Sequence, residues 1–263
     1  MTTRMPAVAG RFYPGSRQAL LAELGRYVSA ESEPRRAFGL MAPHAGYMYS
    51  GPVAGAVYAA AEIPGRLVIL CPNHTGHGRG LAMMGDGAWH TPLGDVPVDE
   101  PLAAELAARL PELEADEFAH RFEHSLEVQL PFLQTVLGEF ELVPFAVGDA
   151  SPAEVAEVAD LLWGGPETLI VVSSDLSHYH RYTDARRIDR ETVDAILALS
   201  SDLDHEQACG ATPVNGLVLS ARRHGLRPVL LDLRNSGDTA GDRSQVVGYA
   251  AIAFVPEVGD ARS

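Results

Sequence analysis

Short apolar runs alternate with amphipathic stretches along the chain. The runs 37–42 (AFGLMA), 66–71 (RLVILC), 80–84 (GLAMM), 141–147 (ELVPFAV), 168–174 (TLIVVSS), 228–233 (RPVLLD) and 246–254 (VVGYAAIAF) read as strands. Several are apolar on both faces, the pattern of strands covered by helices on each side. Stretches 17–29, 52–61, 100–110, 123–137, 152–163, 183–199 and 213–224 read as helices. Ser50 is placed to cap a helix opening with Pro52, and Ser151–Pro152 and Thr212–Pro213 pair a capping residue with Pro in the first turn. Strand and helix alternate, which predicts a three-layer α/β/α sandwich with a largely parallel or mixed central sheet. No repeat, low-complexity tract or long linker interrupts the order, so residues 1–263 read as one domain. Gly259–Ser263 is expected to fray.

Composition narrows the classes of function. The chain has 46% hydrophobic and 21% charged residues, as globular proteins do. Its net charge of −15 argues against a nucleic-acid partner and against adsorption to anionic membranes. All 20 basic residues are Arg, which removes a lysine nucleophile or Schiff base from consideration. Two cysteines, Cys71 and Cys209, make no disulfide framework, and a cytoplasmic location is the expectation. The first residues, MTTRMPAVAGRFYPGS, lack the continuous apolar region of a secretion signal. The longest apolar runs fall short of the ~18 residues of a membrane span.

The candidate chemistry collects where apolar runs end. In open α/β sheets ligands bind beyond the carboxyl ends of the strands. The run 37–42 is followed by Pro43-His44-Ala45-Gly46-Tyr47, 66–71 by Pro72-Asn73-His74-Thr75-Gly76-His77, and 168–174 by Asp175-Leu176-Ser177-His178-Tyr179-His180. Seven of the ten histidines lie in these tips or in His120–Glu127 (HRFEHSLE), so the distribution points to a site and not to scatter. Two strand-tip histidines with a third donor would make a partly filled metal site, and Asp175, Glu127 or Cys209 could be that donor. Cys209 lies just before the helix at Pro213, where a helix N-terminus favours the thiolate, and Gly210 beside it permits close approach. Cys71 ends an apolar run and reads as core; His90, His205 and His224 read as surface or packing residues. In EHSLEVQLPFLQ, His124 or Glu127 is expected to line the pocket, with Leu126, Leu130 and Leu133 facing the core.

Six ordered blocks carry a resemblance: PAVAGRFYP (6–14), PHAGYMYSG (43–51), CPNHTG (71–76), EHSLEVQLPFLQ (123–134), SSDLSHY (173–179) and ACGATP (208–213). Together they resemble the Memo family, whose prokaryotic members are called AmmeMemoRadiSam system protein B. VVGYAAIAF fits that family's closing strand, and Cys71 departs from it where Gly is expected.

The resemblance implies the fold of class III extradiol ring-cleaving dioxygenases. It implies iron or copper bound by His44, His74 and Cys209, with Asp175 and His178 in the same pocket. A thiolate then stands where extradiol enzymes use a carboxylate, which shifts preference toward Cu(I) or zinc. Three readings stay open. One is a redox enzyme with His178 as general acid/base and Asp175 orienting it or binding substrate, the cavity lined by Tyr47, Asn73 and His124. The second is a metal-binding or adaptor protein without turnover. The third is a zinc-dependent hydrolase. The prokaryotic family name implies a radical-SAM protein and an AMMECR1-like protein as partners, and the substrate would be a small molecule or peptide.

Overall fold

The computed structural model describes residues 2–28, 34–110, 113–163 and 167–257. The principal strands are β1 (Gly39–Ala42), β2 (Arg66–Pro72), β3 (Leu81–Met83), β4 (Glu141–Val147), β5 (Thr168–Ser173), β6 (Leu226–Asn235) and β7 (Val246–Pro256). The principal helices are α1 (Arg17–Tyr27), α2 (Tyr47–Ala60), α3 (Glu100–Arg109), α4 (Leu130–Leu137), α5 (Pro152–Leu161), α6 (Tyr182–Leu197) and α7 (Ala211–Arg223).

Four strands run parallel in the order β1-β5-β2-β4. β7 pairs antiparallel with β1, β6 with β7, and β3 with β4. The sheet is therefore mixed, with a parallel centre. Period-two alternation divides its side chains between two cores. Leu67, Ile69 and Cys71 of β2, with Leu169 and Val171 of β5, pack with Leu20 and Leu24 of α1, Val53 and Val57 of α2 and Phe132 of α4. Val68 and Leu70, with Ile170 and Val172, pack on the other face with Leu106 of α3, Val155 and Val158 of α5, Ile196 of α6 and Leu217 of α7. This is the three-layer α/β/α sandwich that the doubly apolar strands predict. Gly39 lets two layers close, because a Cβ there would stand 2.8 Å from Leu217 Cδ1. Among the described residues, no helix is long and apolar enough to cross a membrane.

Several boundaries differ from the sequence expectation. α2 begins at Tyr47, so Pro52 lies inside it and Ser50 donates its hydroxyl to Ala45 O instead of capping. α7 begins at Ala211 behind Gly210, ahead of Pro213. Ser151 does cap α5, in a reciprocal box with Glu154. The expected helix 123–137 is α-helical only over Leu130–Leu137, after a 3-10 turn at Glu127–Gln129 and a separate short helix at Glu117–His120. Residue 29, the expected end of the first helix, and Gly259–Ser263 lie outside the described residues. A small sheet of Thr3–Arg4, Ala88–Thr91 and Gly94–Pro97 was not legible in the apolar pattern, its strands being two to four residues long.

Parallel pairing puts the carboxyl ends of β1, β5 and β2 on one edge, with β5 in the middle. His44 follows β1 and His74 follows β2, so they meet across the end of β5.

Candidate metal centre

The hydrogen bonds around His44 settle which ring nitrogen is bare. His44 is 2% exposed, its N–H donates to Asp175 Oδ1 (2.7 Å), and its Nδ1 lies 3.0 Å from Ser173 Oγ. The Ser173 hydroxyl spends its single proton on Ser125 O (2.6 Å). Gln129 accepts from Tyr58 through its oxygen and donates through Nε2 to Pro43 O and Ser173 Oγ. Ser173 Oγ can thus only accept from His44, so Nδ1 carries the proton and Nε2 presents a lone pair.

His74 reaches the same state through a carboxylate. Glu123 is fully buried, and its Oε1 accepts from His74 Nδ1 (3.0 Å), Ser125 N (2.9 Å) and Ser125 Oγ (2.7 Å). Its Oε2 accepts from the His74 backbone N–H at 2.6 Å. Burial alone would raise the Glu123 pKa, but the bonds from His74 and Ser125 outweigh it and hold it down at about 2. An ionised carboxylate only accepts, so His74 too offers Nε2 outward.

His124 completes a cluster. One ring nitrogen each from His44, His74 and His124 lies within 4.8 Å of the others. The His74 and His124 rings stack at 4.9 Å, and His44 meets both edge-on. Cys209 approaches from another side, its Sγ 3.3 Å from His44 Nε2. Gly210 seats the Cys209 turn against the end of β5, where a Cβ would fall 2.7 Å from Ser174 Cβ. Asp175 Oδ2 stands 4.0 Å from His44 Nε2.

Protonation follows from burial and neighbours. Burial, reinforced by His74 and His124, lowers the His44 pKa well below its ordinary value, so the ring is neutral. Burial likewise lowers that of His124. Burial pulls His74 down as well, yet its bond to Glu123 leaves its pKa raised. The Cys209 thiol is pushed up to about 12, first by burial and then by the charge of Asp175. This corrects the expectation that the helix N-terminus favours its thiolate: without a cation beside it, the sulfur keeps its proton. The three imidazoles lie close enough to share a borderline cation, whereas Cys209 reaches His44 Nε2 but falls outside their mutual 4.8 Å cluster, so its sulfur would have to close in and shed its proton to become a ligand.

The cluster opens on a cavity of about 920 Å³. His44, His74, His124, Asp175 and His178 line it, with aromatic walls from Phe12, Tyr49 and Tyr249. His178 begins a short strand, His178–His180, that pairs irregularly with β7. Within that irregularity Tyr179 takes φ 61°, a conformation uncommon for a bulky residue, and stands exposed at the cavity rim.

Three expected pocket residues lie elsewhere. Glu127 is fully buried, pairing with Arg4 and accepting from Ala7 N, Val8 N and Tyr13 Oη, so it anchors the N-terminal segment instead of lining the cavity. Tyr47, in the first turn of α2, is buried against Tyr13 and Phe132 and donates to Val128 O. Asn73 ties its own loop, donating to His77 O and accepting from Thr75 Oγ1 and Gly76 N, and faces a second cleft. Conversely, sequence reasoning missed Glu123, Ser173 and Gln129. The one available signal was Glu123 beside a candidate histidine in the EHSLE block. Of the remaining histidines and cysteines, Cys71 is buried in the core and His224 stacks on Trp163. His120 bonds Ala82 O and cannot pair with His124 on a common helix.

Comparison with known proteins decides the family. The Memo family model, described as Memo-like protein, matches residues 4–253. The chain belongs to the Memo family. It is 40% identical to a MEMO1 family protein of Methanosarcina acetivorans, over 96% of this chain and 99% of that one. It is 39% identical to the MEMO1 family protein MTH_45 of Methanothermobacter thermautotrophicus, over 95% and 99%. Among solved structures, the uncharacterized protein JW3007 from Escherichia coli K12 aligns with this Memo-family chain at a TM-score of 0.53 and 17% identity. That alignment covers 81% of this chain and 99% of the other, a likeness of fold alone.

Proposed function

We propose that this Memo-family protein is an oxidoreductase that holds a redox-active iron or copper ion on His44, His74 and Cys209. The observation that supports it best is the pair of imidazoles locked with Nδ1 protonated and Nε2 bare, with Cys209 Sγ 3.3 Å from one of those nitrogens. Buried histidines in general carry such a bond; what favours metal here is that both rings also belong to one cluster of donors, and in a metal site the second bond fixes the ring and raises its basicity. The bound ion would supply one-electron chemistry and polarise a substrate oxygen or nitrogen.

The protein's own groups do the rest. His178 and Asp175 line the cavity, where the imidazole of His178 can give or take a proton from a molecule held against the aromatic walls. Asp175 holds the His44 backbone N–H and so keeps the β1 tip in place. His124 is placed to add a fourth donor or to contact the substrate.

Elemental analysis after anaerobic purification tests the metal, on wild type and on His44→Ala, Cys209→Ala and His124→Ala. The reading expects about one iron or copper per chain in wild type, lost in the first two variants and retained in the third. His178→Ala should keep the metal and lose roughly 10²–10⁴ in turnover, a catechol screen under air with Fe(II) restored being the first assay. Stoichiometric zinc, or retention of metal by Cys209→Ala, would overturn the ligand set and its chemistry. Tight metal with no turnover of any substrate would leave a metal-binding or adaptor protein.

A further inference from the structure

The clustered donors are reached from two directions. His44, His124, Asp175 and His178 face the large cavity, whereas Cys209 faces a separate cleft of about 530 Å³. His74 lines both and forms the partition between them. The cleft walls differ in kind from the cavity walls. They carry no aromatic ring other than histidine; Asn73, Arg79, Asp149 and His205 supply polar groups, and Gly76, Gly78, Gly80 and Gly148 supply bare backbone.

The backbone itself requires glycine at three of these positions. Gly76 and Gly78 have φ of 66° and 84°, which side-chain-bearing residues seldom adopt. A Cβ on Gly80 would fall 2.4 Å from Asp149 O. Gly148 is different. A Cβ there would meet only Asn73 Nδ2, Gly80 O and Arg79 O at 3.6–3.7 Å, ordinary contact with the cleft walls. Nothing local demands glycine at 148, yet any larger side chain would project into the passage. His205 stands beside the sulfur-bearing residue, its Nδ1 3.4 Å from Cys209 O.

We propose that this second cleft is the entrance by which the metal ion is loaded and removed, the large cavity being left to the organic substrate. The inference rests on the proposed metal reading and assigns Asp149 and His205 as transient donors on the way in. A hydrated divalent cation meets the Asp149 carboxylate, which offsets the Arg79 charge in the same lining and offers the first oxygen donor. It then passes the His205 imidazole, which can exchange for water, and reaches Cys209 Sγ and His74 Nε2. The thiol proton leaves to solvent as the sulfur takes the cation, so charge and atoms balance without an oxidant.

Co(II) serves as the probe. Its uptake, and its removal by EDTA, are followed by absorbance in wild type, Gly148→Phe, His205→Ala and Met48→Trp. Met48 is exposed at the mouth of the large cavity. A plug raises a barrier without changing end states, so Gly148→Phe should slow uptake and removal alike by about tenfold or more, at unchanged equilibrium affinity. His205→Ala should slow both by a smaller factor, and Met48→Trp should change neither. A metal-free arm reads the same passage: methyl methanethiosulfonate labelling of Cys209, against a Cys209→Ser blank for buried Cys71, should slow in Gly148→Phe and not in Met48→Trp. If Gly148→Phe melts early, Gly148→Leu replaces it. Slowing by Met48→Trp with full speed in the Gly148 variant overturns the entrance while leaving the metal reading standing. Wild type that takes up no Co(II) overturns both.

Discussion

Glu123→Gln removes one charge from a fully buried, four-bond acceptor and tests the logic of the site. In the native protein Oε1 takes three donors and Oε2 takes the His74 N–H. The amide keeps one oxygen and turns an NH₂ toward a donor, so at least one buried N–H loses its partner. Depression of the Glu123 pKa from 4.5 to about 2 corresponds to about 3 kcal/mol, at about 1.4 kcal/mol per unit. The raised pKa of His74 is the other side of the same pair: the charged ring strengthens the bond below that pKa, and this part of the stability is lost as pH rises through it. Because the folded pKa of Glu123 lies below the unfolded one, its stability is lost as pH falls from about 5 toward 2, and the part owed to the His74 charge is lost again as pH rises through the raised pKa of His74. By pH 3 about 2 kcal/mol of it is gone. Urea denaturation of both proteins should therefore show a gap of up to about 3 kcal/mol near pH 5 that narrows steadily as pH falls to 3. Metal affinity at pH 7 should fall about 10–100-fold, since His74 loses the partner that orients it. A stability gap that stays flat from pH 5 to pH 3 would refute the ionised, hydrogen-bonded role assigned to Glu123.

The thiol of Cys209, held near 12, gives a second test: if it is a ligand, each metal bound above the histidine range releases its proton. Co(II) affinity should then rise about tenfold per pH unit from pH 8 to 9.5, while Cys209→Ser is flat. An equally flat wild type would mean that the three histidines bind without sulfur. Gly248→Ala probes the loop that bears Asp175 and His178. A Cβ there would fall 2.1 Å from Asp189 Oδ2, whose partner oxygen accepts the Ser177 N–H, while Gly248 itself donates to Ser177 O. The variant should lose about 1–3 kcal/mol in thermal denaturation, and unchanged melting would show that this corner can give way.

The chain's own pattern determined a good deal of this protein. Doubly apolar segments such as LVIL in β2 and LIVV in β5 can only be buried between two helical layers, and that requirement is written locally. The histidines gathered at strand ends were equally legible, because parallel strands send all their carboxyl ends to one edge. Strand order was not. β5 lies between β1 and β2, and only that order puts Ser173 where it can spend its proton on Ser125 and fix the tautomer of His44. The fates of the two carboxylates in EHSLE were decided the same way. Both are buried acids near a histidine in sequence, but Glu123 turns to His74 and Ser125 while Glu127 turns to Arg4 and the backbone of residues 7 and 8. A helix over 123–137 would have put His124 and Glu127 on one face. The chain instead breaks before Leu130, because the carboxylates find stronger partners in segments more than 45 residues away than a helical turn could offer. A polar group buried at a sheet edge takes whichever donors the folded chain brings there, and that geometry exists only once distant strands are paired.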